Sequence, residues 1–305
     1  MGFCRIILIL VLFSLSCGQR SRDVTAQRFE PDAKQRLILL VIDGPRYSET
    51  WGDPTHQYIP NLSHRLEHEG TVFTNARNTG ATRTVPGHVA LTTGLYQDIS
   101  NNGQELPKEA SFLQIYRAAT GCDSLRTPII SSKHKLAALG DCQDRCWRGK
   151  WLPHVDCGTL GFGPVARNRK DSLTLIRAKE HIRTHDPLAM LIQFMEPDVT
   201  AHKLDSLGYL QGIRDSDRYT DDLISFIQTL DEERGTSTTI ILTNDHGRHL
   251  DGVKEGLYQH GCACEGCRHI NLMIFGPEYR TPNTVDSLID QRQVHDLILD
   301  RLGLS

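Results

Sequence analysis

Four short segments dominate the hydrophobic pattern: 37–42, 188–194, 238–243 and 269–275. Each is rich in Leu and β-branched residues and ends in a turn signal or a polar cluster, such as Asp43-Gly44, Asn244-Asp245-His246-Gly247 or Gly276-Pro277. Runs of this length and composition predict strands buried on both faces. Between them lie stretches with helical spacing. Residues 59–69 place Leu62 and Leu66 on one face, a helix begins after Pro86 and continues through 89–93, and 111–119 and 169–184 come next. Residues 217–230 carry apolar side chains at 219, 223, 226, 227 and 230, an amphipathic helix. Residues 285–302 read as mostly helical. Strands alternating with helices predict an α/β fold, with a mostly parallel central sheet and helices on both faces. The pattern changes over 120–168, which is rich in Cys, Gly, Trp, Pro and Arg and poor in periodic apolar positions. We expect this segment to be a small, Cys-rich cap, with 36–305 forming one domain.

With 39% hydrophobic residues, the 305-residue chain can build one large core. Lys and Arg total 34 against 37 Asp and Glu, which gives no support to a nucleic-acid partner. Arg5 precedes an apolar run at 6–15. A membrane-spanning helix needs about 20 residues, so the run fits the core of a signal peptide over 1–17. Ser14-Leu15-Ser16-Cys17 is similar to a bacterial lipobox, which implies membrane attachment through a lipidated Cys17; ordinary cleavage near Gly18 is the alternative. Either way the protein is expected to be exported, periplasmic or outer-membrane-anchored if bacterial and otherwise secreted. Residues 18–35 form a tether.

Export changes the reading of the cysteines. Beyond Cys17 they stand at 122, 142, 146, 157, 262, 264 and 267, an odd number, so at least one has no partner within the chain. Short spacings favour disulfides within 142–157 and within 262–267. Cys262, Cys264 and Cys267 could hold zinc instead only with a fourth ligand.

Acidic and His residues gather just beyond three of the predicted strands: Asp43 after the first, Glu196, Asp198 and His202 after the second, Asp245 and His246 after the third. Open α/β sheets bind ligands at the carboxyl ends of their strands. A lone Asp there is usually a cap or turn residue, but the repetition argues for a metal centre. Asp198 and His202 are four apart and can reach one ion from a single helical turn. His260 lies further along the chain. Two ions with mixed carboxylate and imidazole ligands suit phosphate-ester hydrolysis. Imidazole favours zinc over magnesium or calcium, and manganese is the runner-up. Thr84, in the polar turn 79–88, is positioned either as a nucleophile or as a helix N-cap, and the two roles are compatible.

The segments Val-Ile-Asp43-Gly, Thr84-Val-Pro-Gly-His-Val-Ala-Leu-Thr-Thr-Gly94, Glu-Pro-Asp198-Val-Thr-Ala-His202 and Thr-Asn-Asp245-His246-Gly together resemble the alkaline phosphatase superfamily, and within it the nucleotide pyrophosphatase/phosphodiesterase branch. The resemblance runs from about residue 37 to the end. It implies an alkaline-phosphatase-like fold and a phosphodiesterase or phosphomonoesterase that forms a phospho-threonine at Thr84. It implies Asp43, Asp245 and His246, with the Thr84 oxygen, around one metal ion, and Asp198, His202 and His260 around the other. His269 and His249 are rivals to His260. Asn101 or Asn102 takes the place of the branch's phosphoryl-binding Asn. Arg83 adds positive charge beside the nucleophile, and Trp147 and Trp151 could stack on a base or sugar. A small, nucleotide-like phosphoester is the implied substrate. A phosphoryl transferase and a non-catalytic binding protein are the alternatives. Sulfatases of the superfamily need Cys or Ser at the nucleophile position, so sulfatase activity is not expected. Gly87 departs from the phosphodiesterase branch, which carries Asn there.

Overall fold

In the computed structural model of the protein, the described residues are 32, 34–159 and 167–304. The signal segment 1–17 with Cys17, nearly all of the tether, and 160–166 of the expected cap lie outside them.

The first strand, β1 (Gln35–Ile42), shows why the sheet is covered on both faces. Ile38, Leu40 and Ile42 point into one buried cluster, while Leu37, Leu39 and Val41 point into another. β1 pairs in parallel with β5 (Ala189–Phe194) on one side and β6 (Ser237–Asn244) on the other. Beyond β5 come β3 (Ile129–Ser131) and β4 (Val155–Cys157), also parallel. Beyond β6, β7 (His269–Phe275) runs against its neighbours, and β2 (Thr71–Arg77) is antiparallel to it, which restores the common direction. Two short strands, β8 (Asn283–Val285) and β9 (Ile289–Asp290), close this edge parallel to β2. The domain is thus α/β, with a mixed, mostly parallel sheet and flanking helices.

α1 (Pro60–Leu66), α4 (Asp171–His185), α5 (Glu196–His202) and α6 (Ser206–Arg234) supply buried residues on one face. α2 (Thr84–Thr93), α3 (Phe112–Thr120) and α8 (Gln293–Arg301) supply them on the other. A single turn, α7 (Glu265–Arg268), leads into β7. Among the described residues, no helix is long and apolar enough to cross a membrane.

Three expectations need correction. Part of the segment expected as a cap is built into the sheet: β3 and β4 both come from it. Each has only three residues, too few to show as an apolar run. α6 starts eleven residues before the expected 217. Asp205 caps it by accepting from the Gly208 amide, and Tyr209, Gly212 and Ile213 are buried against the α5 side. Gly212 is needed there, since a Cβ would sit 2.9 Å from the Pro197 nitrogen. Finally, 285–302 is not continuous helix, because Val285 pairs with Phe73 and Ile289 with Ala76 before α8 begins.

Candidate metal centre

β3, β5, β1 and β6 are adjacent and parallel, so their carboxyl ends share one edge of the sheet. Asp43 follows β1, α5 follows β5, and Asp245-His246 follows β6. β2 ends at the same edge and leads to α2, with Thr84 in its first turn. The expected ligands therefore converge because of strand order.

They form two clusters. In the first, Asp43, Asp245 and His246 are fully buried and place their ligand atoms within 4.8 Å of one another. His246 Nε2 is 3.6 Å from Asp43 Oδ1 and 3.5 Å from Asp245 Oδ2. These three atoms have no hydrogen-bond partner. A buried unpaired polar atom costs about 1–3 kcal/mol, and three facing one another are what a cation would satisfy. The second cluster joins Asp198, His202 and His260. Asp198 Oδ1 is 3.2 Å from His202 Nε2 and 3.4 Å from His260 Nε2, and the two imidazole nitrogens are 3.0 Å apart. The rings of His246 and His260 stack at 3.9 Å, so the clusters adjoin. Both donor sets, carboxylate with imidazole, fit a divalent ion.

The protonation states are consistent with this. Burial lowers His260 to about 2, reinforced by nearby His246, and burial also lowers His246. Both rings stay neutral, the form that binds metal. Burial, then the Asp245 charge, raises Asp43 well above the usual carboxylate range. Burial also acts upward on Asp198, but Lys133, His202 and Arg248 outweigh it and hold Asp198 well below that range.

Lys133 carries no signal in the sequence. It is buried two residues beyond β3, and its Nζ lies 2.6 Å from Asp198, 2.8 Å from Asp43 and 3.2 Å from Thr84 Oγ1. Burial opposes its charge, but Asp198, Asp43 and Asp245 together raise its pKa. Arg248 is a second such residue. It is fully buried, bonds Asp198 Oδ1 and donates to the carbonyl of Tyr258. Neither belongs to a motif, because β3 is too short to mark the residues after it and Arg248 reads as a loop charge.

Thr84 is the first residue of α2, and Arg83 is the N-cap, whose side chain makes no capping bond. The Thr84 hydroxyl is therefore not used as a cap. Asn101 Oδ1 accepts from the Val85 amide at 2.8 Å, which brings Asn101 beside Thr84. Asn102 is exposed and bonds Gln104, in a turn of its own. Arg83 is exposed, with its Nε 3.3 Å from where a Cβ on Gly261 would stand, beside His260. His269 stacks on Tyr47 and bonds the Thr74 carbonyl, a packing role. Trp147 and Trp151 pack edge to face on each other.

Gly87 is explained by close approach. A Cβ there would lie 2.6 Å from the Asp245 carbonyl oxygen, which also accepts from Asn78 and Gln291. That backbone has little room to shift. Gly87→Ala should cost about 1–3 kcal/mol by overpacking and weaken zinc binding, as read by thermal unfolding with and without zinc. An unchanged zinc-dependent shift would refute the link to Asp245.

Asp171 positions the second cluster from a distance. Its carboxylate accepts from the amides of Met195 and Glu196, at the head of α5, and from Ser132. Burial, then the Glu196 charge, still pushes it up to about 7. With its pKa raised by folding, the native state keeps a proton that the unfolded chain has lost. Stability from this group is fully present below about pH 4 and falls as pH rises to about 7, by at most about 1.4 kcal/mol per unit. Urea unfolding across that window should show a shallower decline in Asp171→Asn, and an identical decline would refute the assignment.

The cysteines depart from expectation. Cys142 and Cys157 are free thiols, so the bridge expected within 142–157 is not formed. Both are drawn into packed surroundings, Cys142 buried and Cys157 against the core. Cys262, Cys264 and Cys267 are also unbridged, with 3.9 Å between the sulfurs of Cys262 and Cys267, where a disulfide needs about 2.05 Å.

No family model matches the chain. Human GPI ethanolamine phosphate transferase 1 is 25% identical over 239 residues, 71% of this chain. The chain spans about a quarter (24%) of that relative's length. Murine ectonucleotide pyrophosphatase/phosphodiesterase 5, solved as an inactive variant in complex with AMP, superposes with a TM-score of 0.63 at 16% identity, covering 89% of this chain and 96% of that one. The soluble domain of lipooligosaccharide phosphoethanolamine transferase A from Neisseria meningitidis gives 0.63 at 15% identity, covering 90% of each chain. The fold is related to that of the alkaline phosphatase superfamily. Phosphonate monoester hydrolase of Agrobacterium radiobacter, with a TM-score of 0.60, 15% identity and coverage of 90% of this chain and 74% of its own, shares this fold. The two adjoining Asp/His clusters mark this edge as a candidate site for two divalent ions.

Proposed function

We propose that the protein is an exported phosphoric ester hydrolase with Thr84 as nucleophile. Asp43, Asp245 and His246, with Thr84, would hold one divalent ion, and Asp198, His202 and His260 the other, zinc being preferred and manganese next. Bound there, the ions would supply positive charge against the phosphoryl oxygens and the leaving group. The observation that carries the reading is the set of three unpaired ligand atoms on Asp43, Asp245 and His246, with Lys133 Nζ joining Asp43 to the Thr84 hydroxyl.

The chain's own groups prepare the attack. The Lys133 ammonium, 3.2 Å from Thr84 Oγ1, favours loss of the hydroxyl proton. The oxygen then bonds to phosphorus as the bond to the leaving alcohol breaks, and the alcohol takes up a proton. The α2 N-terminus faces the charge gathered there. Water then cleaves the phospho-threonine, returning Thr84 and releasing phosphate or its monoester. Asn101 is the nearer of the two asparagines and serves the phosphoryl pocket, with Arg83 at its rim. The substrate is a small, nucleotide-like phosphoester. Lipidation at Cys17 would hold the enzyme on a membrane.

A second reading is transfer to an alcohol acceptor. It is favoured by two similar proteins, the human GPI ethanolamine phosphate transferase 1 and the Neisseria enzyme. Purified protein should release nitrophenol from bis- and mono-nitrophenyl phosphate, lose this with chelator and regain it with zinc or manganese. Adding an alcohol acceptor would divert product to a new ester if transfer dominates. Metal-loaded protein that turns over neither probe, with or without an acceptor, would overturn both readings.

A further inference from the structure

Outside the Asp/His clusters, two groups among the described residues have the composition of a metal site: the exposed His64, Glu67 and His68, and a more buried group of three cysteines with His249. His249, Cys262, Cys264 and Cys267 offer four ligand atoms within 4.8 Å of one another. We propose that these residues bind one structural zinc ion, distinct from the Asp/His centre, which staples the loop after His246 to the loop after His260.

The geometry fits zinc better than a disulfide. A tetrahedral zinc with Zn–S bonds of about 2.3 Å has S···S edges of about 3.8 Å, and Cys262 and Cys267 stand 3.9 Å apart. The Cys264 amide donates to the Cys262 sulfur at 3.3 Å, a bond that favours a thiolate. The Cys267 and Arg268 amides both donate to the Cys264 carbonyl, closing the turn that gathers the sulfurs. His249 supplies the second, independent observation. It is 2% exposed, and neither ring nitrogen has a hydrogen-bond partner. One of those nitrogens on the ion satisfies a group that is otherwise unpaired. Nδ1 is 3.9 Å from the Glu255 carboxylate, beyond hydrogen-bond reach. Three Cys and one His complete a tetrahedron and leave no open position, which makes the site structural. Thiolates with imidazole select zinc over magnesium or calcium.

The staple bears on the loop that carries the neighbouring ligands. Gly247 donates its amide to the Cys267 carbonyl, and His249 donates its amide to Gln259. Thr82 Oγ1 donates to the Cys262 carbonyl at 2.9 Å, while the Thr82 carbonyl meets His260 Nδ1 at 2.9 Å. An ion on the four residues would thus fix the backbone on both sides of His246 and His260.

In cobalt-substituted protein the thiolate charge-transfer band reports this site alone, because the Asp/His clusters contain no sulfur. Full-length protein grown with cobalt in place of zinc should show thiolate-to-cobalt charge-transfer absorption and the visible bands of a tetrahedral ion. The charge-transfer absorption should disappear in Cys264→Ser and weaken or shift in His249→Asn, yet persist in His202→Asn. Zinc-grown Cys264→Ser should lose one equivalent of zinc relative to wild type. In native wild type the three thiols should resist alkylation until a chelator is added, a readout that holds even if a variant folds poorly. A Cys262–Cys267 disulfide in non-reducing peptide maps, or three freely alkylated thiols with no charge-transfer band, would overturn the proposal. Absent phosphoesterase activity with the band intact would count against the catalytic reading only.

Discussion

Thr84→Ala should leave a folded, metal-binding protein whose phosphoester turnover is lower by several orders of magnitude. The hydroxyl contributes no helix cap, and its contact among the described residues is the bond from Lys133. The stability cost should therefore fall below the roughly 0.5–2 kcal/mol of losing an N-cap. The rate cost is different in kind, since a missing covalent nucleophile is not replaced by binding energy, and only a small residual hydrolysis should survive. Thr84→Ser keeps the oxygen and should retain measurable activity. Initial rates per zinc-loaded, folded molecule decide the matter. Near-wild-type turnover by Thr84→Ala would transfer the attack to water and remove the phospho-threonine.

Lys133→Met should destabilise the chelated protein by about 3–5 kcal/mol, the range for removing one partner of a buried ion pair. The substitution keeps much of the volume and leaves Asp43 and Asp198 facing each other without the ammonium between them. Divalent ions on the two clusters would restore positive charge there, so the loss should shrink in zinc-loaded protein. Urea unfolding of wild type and variant, each with chelator and with zinc, gives the four stabilities. Equal losses in both conditions would mean that Lys133 acts through packing and not as a counter-charge.

Much of this edge was legible in the sequence. β1, β5, β6 and β7 are long enough to show as apolar runs, and the residues that close three of them, at Asp43, Asp198 and Asp245, are those the strand order brings together. The elements that escaped have a common cause. β2 carries polar residues at Thr74 and Asn75 and does not read as a buried run, although β7 flanks it. β3 and β4 are three residues each, and Lys133, held between two carboxylates, comes just after β3. Arg248 and Asp171 act through partners far away in sequence, at Asp198 and at the head of α5. In the sequence His249 reads as a rival ligand for the Asp/His centre. Its place among Cys262, Cys264 and Cys267 depends on how the 245–268 loop folds back, which no local spacing reveals.

The pairing of β1 has a consequence for how the chain reaches this state. Asp43 meets Gln193 across 150 residues and, through Gly44, Asp245 across 201. The strand synthesised first among the described elements must wait for two partners made much later, with its apolar faces uncovered in the meantime. Contacts of such long separation slow folding and leave a nascent chain prone to association. A chain released before β6 would have only part of either metal cluster and an open edge along β1, and its fate should be aggregation or proteolysis, not partial activity.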